Sequence, residues 1–241
     1  MPLQPMQAEI IAVGSELLTP QKIDTDSLYL TGELNALGIE VVAKAVVGDD
    51  RERLSAMIRD SLRRSPIVIL TGGLGPTEDD VTRDAVASAL GRELQFNLAV
   101  CEGIEARFRL MNRRMAEINR RQAYIIAGAD ILNNENGTAP GQWVDDNGRI
   151  VILLPGPPNE LKPMFSRGCL PKLRAAVPST VIRTRFYRVS GMPESELDQL
   201  ISPVYTRYSN PVTTILAAPG DIQIRLRART ETEPQAEALL S

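Results

Sequence analysis

The sequence predicts an α/β fold, a doubly wound and mostly parallel sheet followed by a second, smaller α+β domain, and three observations carry that prediction. Apolar runs alternate with amphipathic helical stretches from residue 8 onward. The run Ile67-Val68-Ile69-Leu70 is apolar throughout, as suits a strand buried on both faces. It leads into Thr71-Gly72-Gly73-Leu74-Gly75-Pro76-Thr77, a glycine turn of the kind that joins a buried strand to a helix.

Residues 8–14 read as the first strand, and Gly14-Ser15-Glu16 turns the chain at its end. Asp24 or Thr25 is placed to cap a helix that carries Leu28, Leu30, Leu34 and Leu37 at helical spacing and ends at Gly38. Residues 39–47 form the second strand, closed by Gly48-Asp49-Asp50. A helix over 51–64 follows, with Leu54, Met57, Ile58 and Leu62 as its buried stripe. Beyond the glycine turn, Thr77 and Asp80 stand at capping-box spacing, which predicts a helix from about Glu78. A long helix is expected over 98–121. Its arginines at 107, 109, 113, 114, 120 and 121 read as a solvated or oligomer-facing surface, with Asn119 and Gln122 near its end. Residues 131–141 form a loop rich in small and amide side chains. Asn147-Gly148 predicts a tight hairpin between Trp143-Val144 and residues 149–154. Pro155-Gly156-Pro157-Pro158-Asn159-Glu160 makes a second strand-to-helix turn.

Order weakens over 167–180, around Pro171 and Pro178, and the domain boundary is placed there: residues 1–168 form the first domain and 169–241 the second. The second reads as a strand over 181–190, a helix over 194–201, a strand over 204–208, and a hairpin of 213–217 with 222–229 across Pro219-Gly220-Asp221. Arg225, Arg227 and Arg229 alternate with Ile224, Leu226 and Ala228, so one strand face is basic and the other buried. With no aromatics interleaved, the basic face reads as solvated rather than as a nucleic-acid platform. Residues 236–241 resemble the first turns of a helix, which suggests a truncated chain or a missing downstream domain.

Composition narrows the chemistry. The 241 residues suffice for one large or two smaller domains, 24% are charged, and the net charge of −3 gives no global signal for nucleic acid. No apolar run approaches the ~18 residues of a membrane span, and Met1-Pro2-Leu3-Gln4-Pro5 lacks a signal-peptide pattern, so no membrane partner and a cytoplasmic location are expected. Cys101 and Cys169 are far apart with no CxxC pairing, which argues against a disulfide framework or a zinc site. The chain has no histidine. Ser-His and Cys-His catalysis and histidine-ligated metals are thereby excluded. Acid–base work must fall to Asp, Glu, Lys, Tyr or water, and any metal should be held by oxygen.

In doubly wound sheets ligands sit beyond the carboxyl ends of the strands, near the point where strand order reverses. Gly14-Ser15-Glu16, Gly48-Asp49 and Gly72 to Asp80 should therefore converge on one cleft. A glycine turn ahead of a helix N-terminus is an anion site, and phosphate is the expected guest. Asp79 and Asp80 would repel bare phosphate unless a divalent metal bridged the two, magnesium being the usual choice. Capping of the following helix is the plain alternative for both acids.

Gly14-Ser15-Glu16-Leu17-Leu18, Val47-Gly48-Asp49-Asp50, the stretch Thr71 to Thr82, Asn119 with Arg121-Gln122-Ala123, the stretch Asn134 to Gly141, and Leu154 to Glu160 together resemble the amino-terminal part of the CinA family (competence/damage-inducible protein A) across nearly the whole chain. The Thr-Gly-Gly-x-Gly turn alone would indicate only the wider molybdopterin-binding fold. The resemblance implies a metal-dependent domain that hydrolyses the pyrophosphate of ADP-ribose to AMP and ribose 5-phosphate, followed by a small KH-like domain. Typical members continue into a nicotinamide-mononucleotide deamidase domain, which is not expected within these 241 residues. Acids of the wider fold family correspond to Asp49 and Asp80. Two positions depart from the family pattern: Ile126 stands where proline is usual, and Asp26 where asparagine is frequent.

The candidate site accordingly assigns catalysis to Asp49, Asp80 and Glu16, and a magnesium, manganese or cobalt ion to Asp80, Asp49 and Asp79. Phosphate and nucleotide contacts are expected from Gly14, Ser15, Thr71, Gly72, Gly73, Gly75, Pro76 and Thr77. Asn134, Gly137, Thr138, Pro155, Gly156 and Glu160 complete the set. ADP-ribose is the expected substrate and a homodimer the expected assembly. Two other functions fit the same residues: a molybdopterin-type phosphate-binding protein without hydrolysis, and a dimerising scaffold for the missing deamidase.

Overall fold

The structure, a computed structural model, describes residues 6–176, 181–218 and 220–241. The opening pentapeptide, Pro178 and Pro219 lie outside the described residues. The chain divides into two compact units, Met1–Leu34 with Ile39–Ala176, and Asn35–Gly38 with Val177–Ser241.

In the first unit β1 (Gln7–Val13), a 3-10 turn (Ser15–Leu18), α1 (Asp26–Ala36), β2 (Glu40–Val47), α2 (Arg51–Arg64) and β3 (Ile67–Thr71) follow the predicted alternation. After β3 come α3 (Thr82–Leu90), β4 (Leu94–Phe96), α4 (Leu98–Leu110), a 3-10 segment (Glu117–Ala123), β5 (Tyr124–Ile126), β6 (Asp130–Leu132), β7 (Gly141–Asp146) and β8 (Arg149–Leu154). The helical run α5 (Pro158–Met164), a wide turn (Phe165–Cys169) and α6 (Leu170–Ala176) closes the unit. Helix therefore continues through residues 167–176, where order was expected to weaken, and the rest of that stretch lies outside the described residues.

The six-stranded sheet has the order β2-β1-β3-β8-β7-β6. Strands β2, β1, β3 and β8 pair in parallel, and β7 and β6 run antiparallel at one edge. From β1 the chain winds first to β2 and then back past β1 to β3. Right-handed crossovers in opposite directions place α1 and α2 on opposite faces of the sheet and put the topological switch between β1 and β3. All five residues of β3 are buried as a result. Val68 and Leu70 pack with Ile11, Leu54, Ile58 and Val86. Phe165, Leu30, Leu34 and Leu161 are also fully buried, and Tyr29 meets the Phe165 ring edge-on at 6.3 Å.

Four local expectations change. Leu28 is 64% exposed and leaves the α1 stripe, which is carried by Leu30 and Leu34. The helix after the glycine turn begins at Thr82 rather than near Glu78. The long helix stops at Leu110 because Asn112 adopts a left-handed conformation (φ 54°) and the Arg113 amide turns back to the Phe108 carbonyl. Of its arginines, Arg107 donates to the carbonyls of Asn134 and Glu135, and so pins a loop rather than facing solvent.

The second unit contains β9 (Val181–Val189), α7 (Glu194–Tyr205), β10 (Val212–Ala218), β11 (Asp221–Thr230) and α8 (Glu233–Leu240), with sheet order β10-β11-β9. Of the strand expected over 204–208, Val204 and Tyr205 are instead the end of α7 and residues 206–208 leave it in a turn. That helix absorbs Pro203, and Tyr205 Oη donates to Asp198 Oδ1 at 2.7 Å, linking the turns on either side of the proline. Arg183 and Arg185 pair with Glu233 and Glu237, so α8 covers their face of the sheet. The opposite face is not free of aromatics: β9 places Phe186 opposite Arg225, whose guanidinium lies 5.2 Å from the ring centroid.

Candidate functional site

The switch between β1 and β3 opens into a cavity of about 820 Å³. Its floor is the glycine turn. The Gly72 amide donates to the Leu154 carbonyl at 2.9 Å, which ties the turn to β8. Gly72 has φ 91°, and any side chain there would run into the Val13 carbonyl of β1. Gly73 (φ 64°) leaves room only for the Thr82 hydroxyl, which donates to the Gly72 carbonyl at 2.8 Å. Small residues are thus required here by the neighbouring strand and helix as well as by any ligand.

Asp80 shapes the rest of the turn. Its Oδ1 accepts the Gly75 amide at 2.7 Å, and its Oδ2 accepts the Thr77 amide at 2.8 Å and the Thr77 hydroxyl at 2.6 Å. The residue read as a helix cap or a free metal ligand is therefore a clamp across the loop. From beneath, Arg83 donates to the carbonyls of Leu74 (2.6 Å) and Gly75 (2.8 Å). Arg83 is only 3% exposed. Burial pulls its guanidinium down from the usual arginine range, and the charges of Asp80 and Asp84 act the other way. Of the turn amides expected to face a phosphate, those of Gly72 and Gly75 are already bonded within the fold. Among the described residues the amides of Gly73 and Leu74 have no such partner.

Opposite the turn, Ser15 and Asp49 exchange hydrogen bonds: the Ser15 amide donates to Asp49 Oδ2 at 2.9 Å, and the Asp49 amide donates to Ser15 Oγ at 3.1 Å. This pair fixes the ends of β1 and β2 to each other and sets Asp49 in the cavity wall beside Gly14 and Glu16. Thr71, Gly72, Gly73, Gly75, Thr77, Asp79, Asp80, Thr138, Pro155, Gly156 and Glu160 line the same space. Ser15, Pro76, Asn134 and Gly137 do not line it. Asn134 acts one step back: its Nδ2 donates to Glu160 Oε2 at 2.6 Å and to the Ala139 carbonyl at 2.8 Å, while its Oδ1 accepts the Gly137 amide at 2.7 Å.

Lys22, Asp26 and Gln122 also line the cavity without having been assigned a role from sequence. Gln122 is 2% exposed, and its Oε1 has no hydrogen-bond partner. Only its place in the motif Arg121-Gln122-Ala123 hinted at a use. Arg83 had one signal as well, a cation in the first turn of a helix, where the dipole disfavours it. Nearby, Ile126 uses an N–H that a proline would lack, donating to Gln142 Oε1 at 2.8 Å.

The lining holds seven carboxylates, Glu16, Asp24, Asp26, Asp49, Asp79, Asp80 and Glu160, against one lysine. Among the described residues no three of them form a ready metal cluster. The donor set is nonetheless entirely hard oxygen, and so strong an excess of negative charge accommodates a phosphate only together with a cation. Asp49, Asp79, Asp80 and Glu16 are the residues of this set that border the turn and could hold one.

Residues 9–175 match the family described as a probable molybdopterin binding domain, and residues 184–241 match the damage-inducible protein CinA KH domain. The chain is 63% identical over 236 residues to a CinA-like protein of Solibacter usitatus, covering 98% of this chain and 57% of that protein. It is 48% identical over 237 residues to a CinA-like protein of Koribacter versatilis, with 97% and 57% covered. The crystal structure of the protein CinA with unknown function from Thermoplasma acidophilum superposes with a TM-score of 0.62 at 29% identity, covering 66% of this chain and 94% of that one. The chain thus spans little more than half the length of these curated relatives. Among the described residues no helix is long and apolar enough to cross a membrane. With both domain types matched in order, the chain belongs to the CinA family.

Proposed function

We propose that the cavity binds ADP-ribose with a divalent metal ion and hydrolyses its pyrophosphate to AMP and ribose 5-phosphate. The observation that carries this reading is a glycine turn whose residues Gly73 and Leu74, with amides unbonded among the described residues, line a cavity of about 820 Å³, large enough for a nucleotide and lined by seven carboxylates and one lysine. A diphosphate alone would be repelled by such a wall, and one or two carboxylates with substrate phosphates and water make the customary shell of magnesium. Asp49 and Asp79 are the first choices for that role, because both oxygens of Asp80 are engaged by the turn. When bound, the ion supplies charge neutralisation and a water of lowered pKa.

The protein's own groups do the rest. The Gly73 and Leu74 amides orient phosphate oxygens and stabilise charge as it builds on them. Asp80 and Arg83 hold those amides in place before the ligand arrives. Glu16, whose side chain makes no hydrogen bond among the described residues, accepts the proton of the attacking water, a task that falls to a carboxylate in a chain without histidine.

Incubation with ADP-ribose and magnesium, manganese or cobalt, followed by phosphorus NMR, is expected to show AMP and ribose 5-phosphate, with turnover abolished by EDTA. No turnover with any of the three metals overturns the proposal. The family described as a probable molybdopterin binding domain favours a second reading, binding of a pterin phosphate without hydrolysis. Calorimetric preference for a pterin phosphate over ADP-ribose would select it.

A further inference from the structure

One wall of the cavity takes no part in the hydrolysis outlined above: residues 22–26, which lead into α1. Asp24 in that wall is occupied, its Oδ1 accepting the Ser27 amide at 3.0 Å and so capping the helix. Asp26 is not occupied. It lines the cavity, is 8% exposed, and its Oδ1 has no hydrogen-bond partner. The charges that face it are Asp24 and Lys22 from its own segment and Lys162 from α5. Neither lysine bonds it, and the Lys162 ammonium lies instead 5.3 Å from the centre of the Tyr29 ring. Burial, reinforced by Asp24, pushes the Asp26 carboxyl up to about 6, as expected for an acceptor deprived of donors.

A buried carboxylate oxygen without a donor calls for a ligand group that has one to give. Phosphate is excluded by like charge. A pair of sugar hydroxyls is the complementary chemistry, since a carboxylate can accept from two neighbouring hydroxyls at once; carboxylates recognise ribose hydroxyls in this way in dinucleotide-binding folds. We propose that Asp26 is the ribose-binding residue of the cavity, accepting the vicinal hydroxyls of one ribose while the glycine turn holds the adjoining phosphates. The inference rests on the cavity's being an ADP-ribose site.

Calorimetry of the full chain with magnesium tests it, using the non-hydrolysable α,β-methylene analogue of ADP-ribose, its 2′-deoxyadenosine form, α,β-methylene ADP and methylenediphosphonate. Asp26→Ala is expected to weaken the ADP-ribose analogue by about ten- to a hundredfold and to leave methylenediphosphonate unchanged. Asp26→Asn, which keeps one acceptor and the side-chain shape, should lose less. If the adenosine ribose is the one bound, the 2′-deoxyadenosine form becomes insensitive to Asp26→Ala; if the distal ribose, α,β-methylene ADP does. Equal affinity of parent and Asp26→Ala for the ADP-ribose analogue overturns the assignment. So does a loss for methylenediphosphonate by the same factor, which would mark Asp26 as a metal or folding residue. Failure of the parent protein to bind the ADP-ribose analogue at all would overturn the proposed function, and this subsite with it.

Discussion

Asp80 Oδ1 accepts the Gly75 amide at 2.7 Å, five residues back along the chain, and this one bond turns an acid at helix-cap spacing into the closure of the glycine turn. The adjoining bonds from Thr77 to Oδ2 complete the clamp, and α3 is left to start at Thr82 without a side-chain cap.

Asp80→Ala strips the acceptor from three donors at once. Metal-free unfolding by calorimetry is expected to show a loss of about 1–3 kcal/mol, together with loss of ADP-ribose turnover. A pure metal ligand would leave metal-free stability untouched, so an unchanged melting temperature would sink the clamp.

Asp26 gives a pH signature of opposite sign to most acids. Its carboxyl is raised from 3.8 to about 6 in the fold, chiefly by burial, so the folded state holds the proton more tightly than the unfolded chain. The stability this gives is complete below 3.8 and is lost as pH rises to about 6. Asp26→Asn removes the cost of the buried charge and should stabilise the protein by about 2–3 kcal/mol at pH 7, with no gain near pH 3.5. Urea unfolding of both proteins at the two pH values checks this; equal gains at both would contradict it.

Glu9 behaves in the ordinary direction. Burial alone would raise its carboxyl, but hydrogen bonds from Arg64, Ser61 and Ser65 and the charge of Arg64 outweigh burial and hold it below 4.5. That stability is present above 4.5 and disappears as pH falls through the lower folded value. Glu9→Gln should cost about 1–3 kcal/mol at pH 7, and the gap to the parent should close at pH 3. A gap that persisted at pH 3 would assign the loss to packing instead.

Asn134 positions Glu160 without reaching the cavity. Asn134→Ala is expected to lower kcat/KM for ADP-ribose by roughly tenfold, about 1.4 kcal/mol of transition-state stabilisation, with the far-UV spectrum retained. Full activity in this variant would show that Glu160 needs no such support.

Much of the fold was legible because its signals are local. Apolar strands, the left-handed Gly38 and the Asn147-Gly148 hairpin depend on neighbours in sequence, and they appear where the sequence places them. The helix expected over 194–201 instead runs on through Pro203 to Tyr205, and the bond from Tyr205 to Asp198 spans that proline. Asn112, by contrast, carried a readable stop signal that the arginine-rich run around it obscured.

By itself the sequence determined the class of chemistry. The absence of histidine removes imidazole ligands and imidazole acid–base chemistry, since that limit depends only on which groups exist. Only the tertiary structure decided which groups are free. Long-range contacts bond the Gly72 amide to β8 and engage Ser15 with Asp49, while the loop itself binds both oxygens of Asp80. The same packing buries Asp26 without a donor. A residue type fixes what a side chain can donate or accept; only the folded neighbourhood fixes whether that capacity is already used.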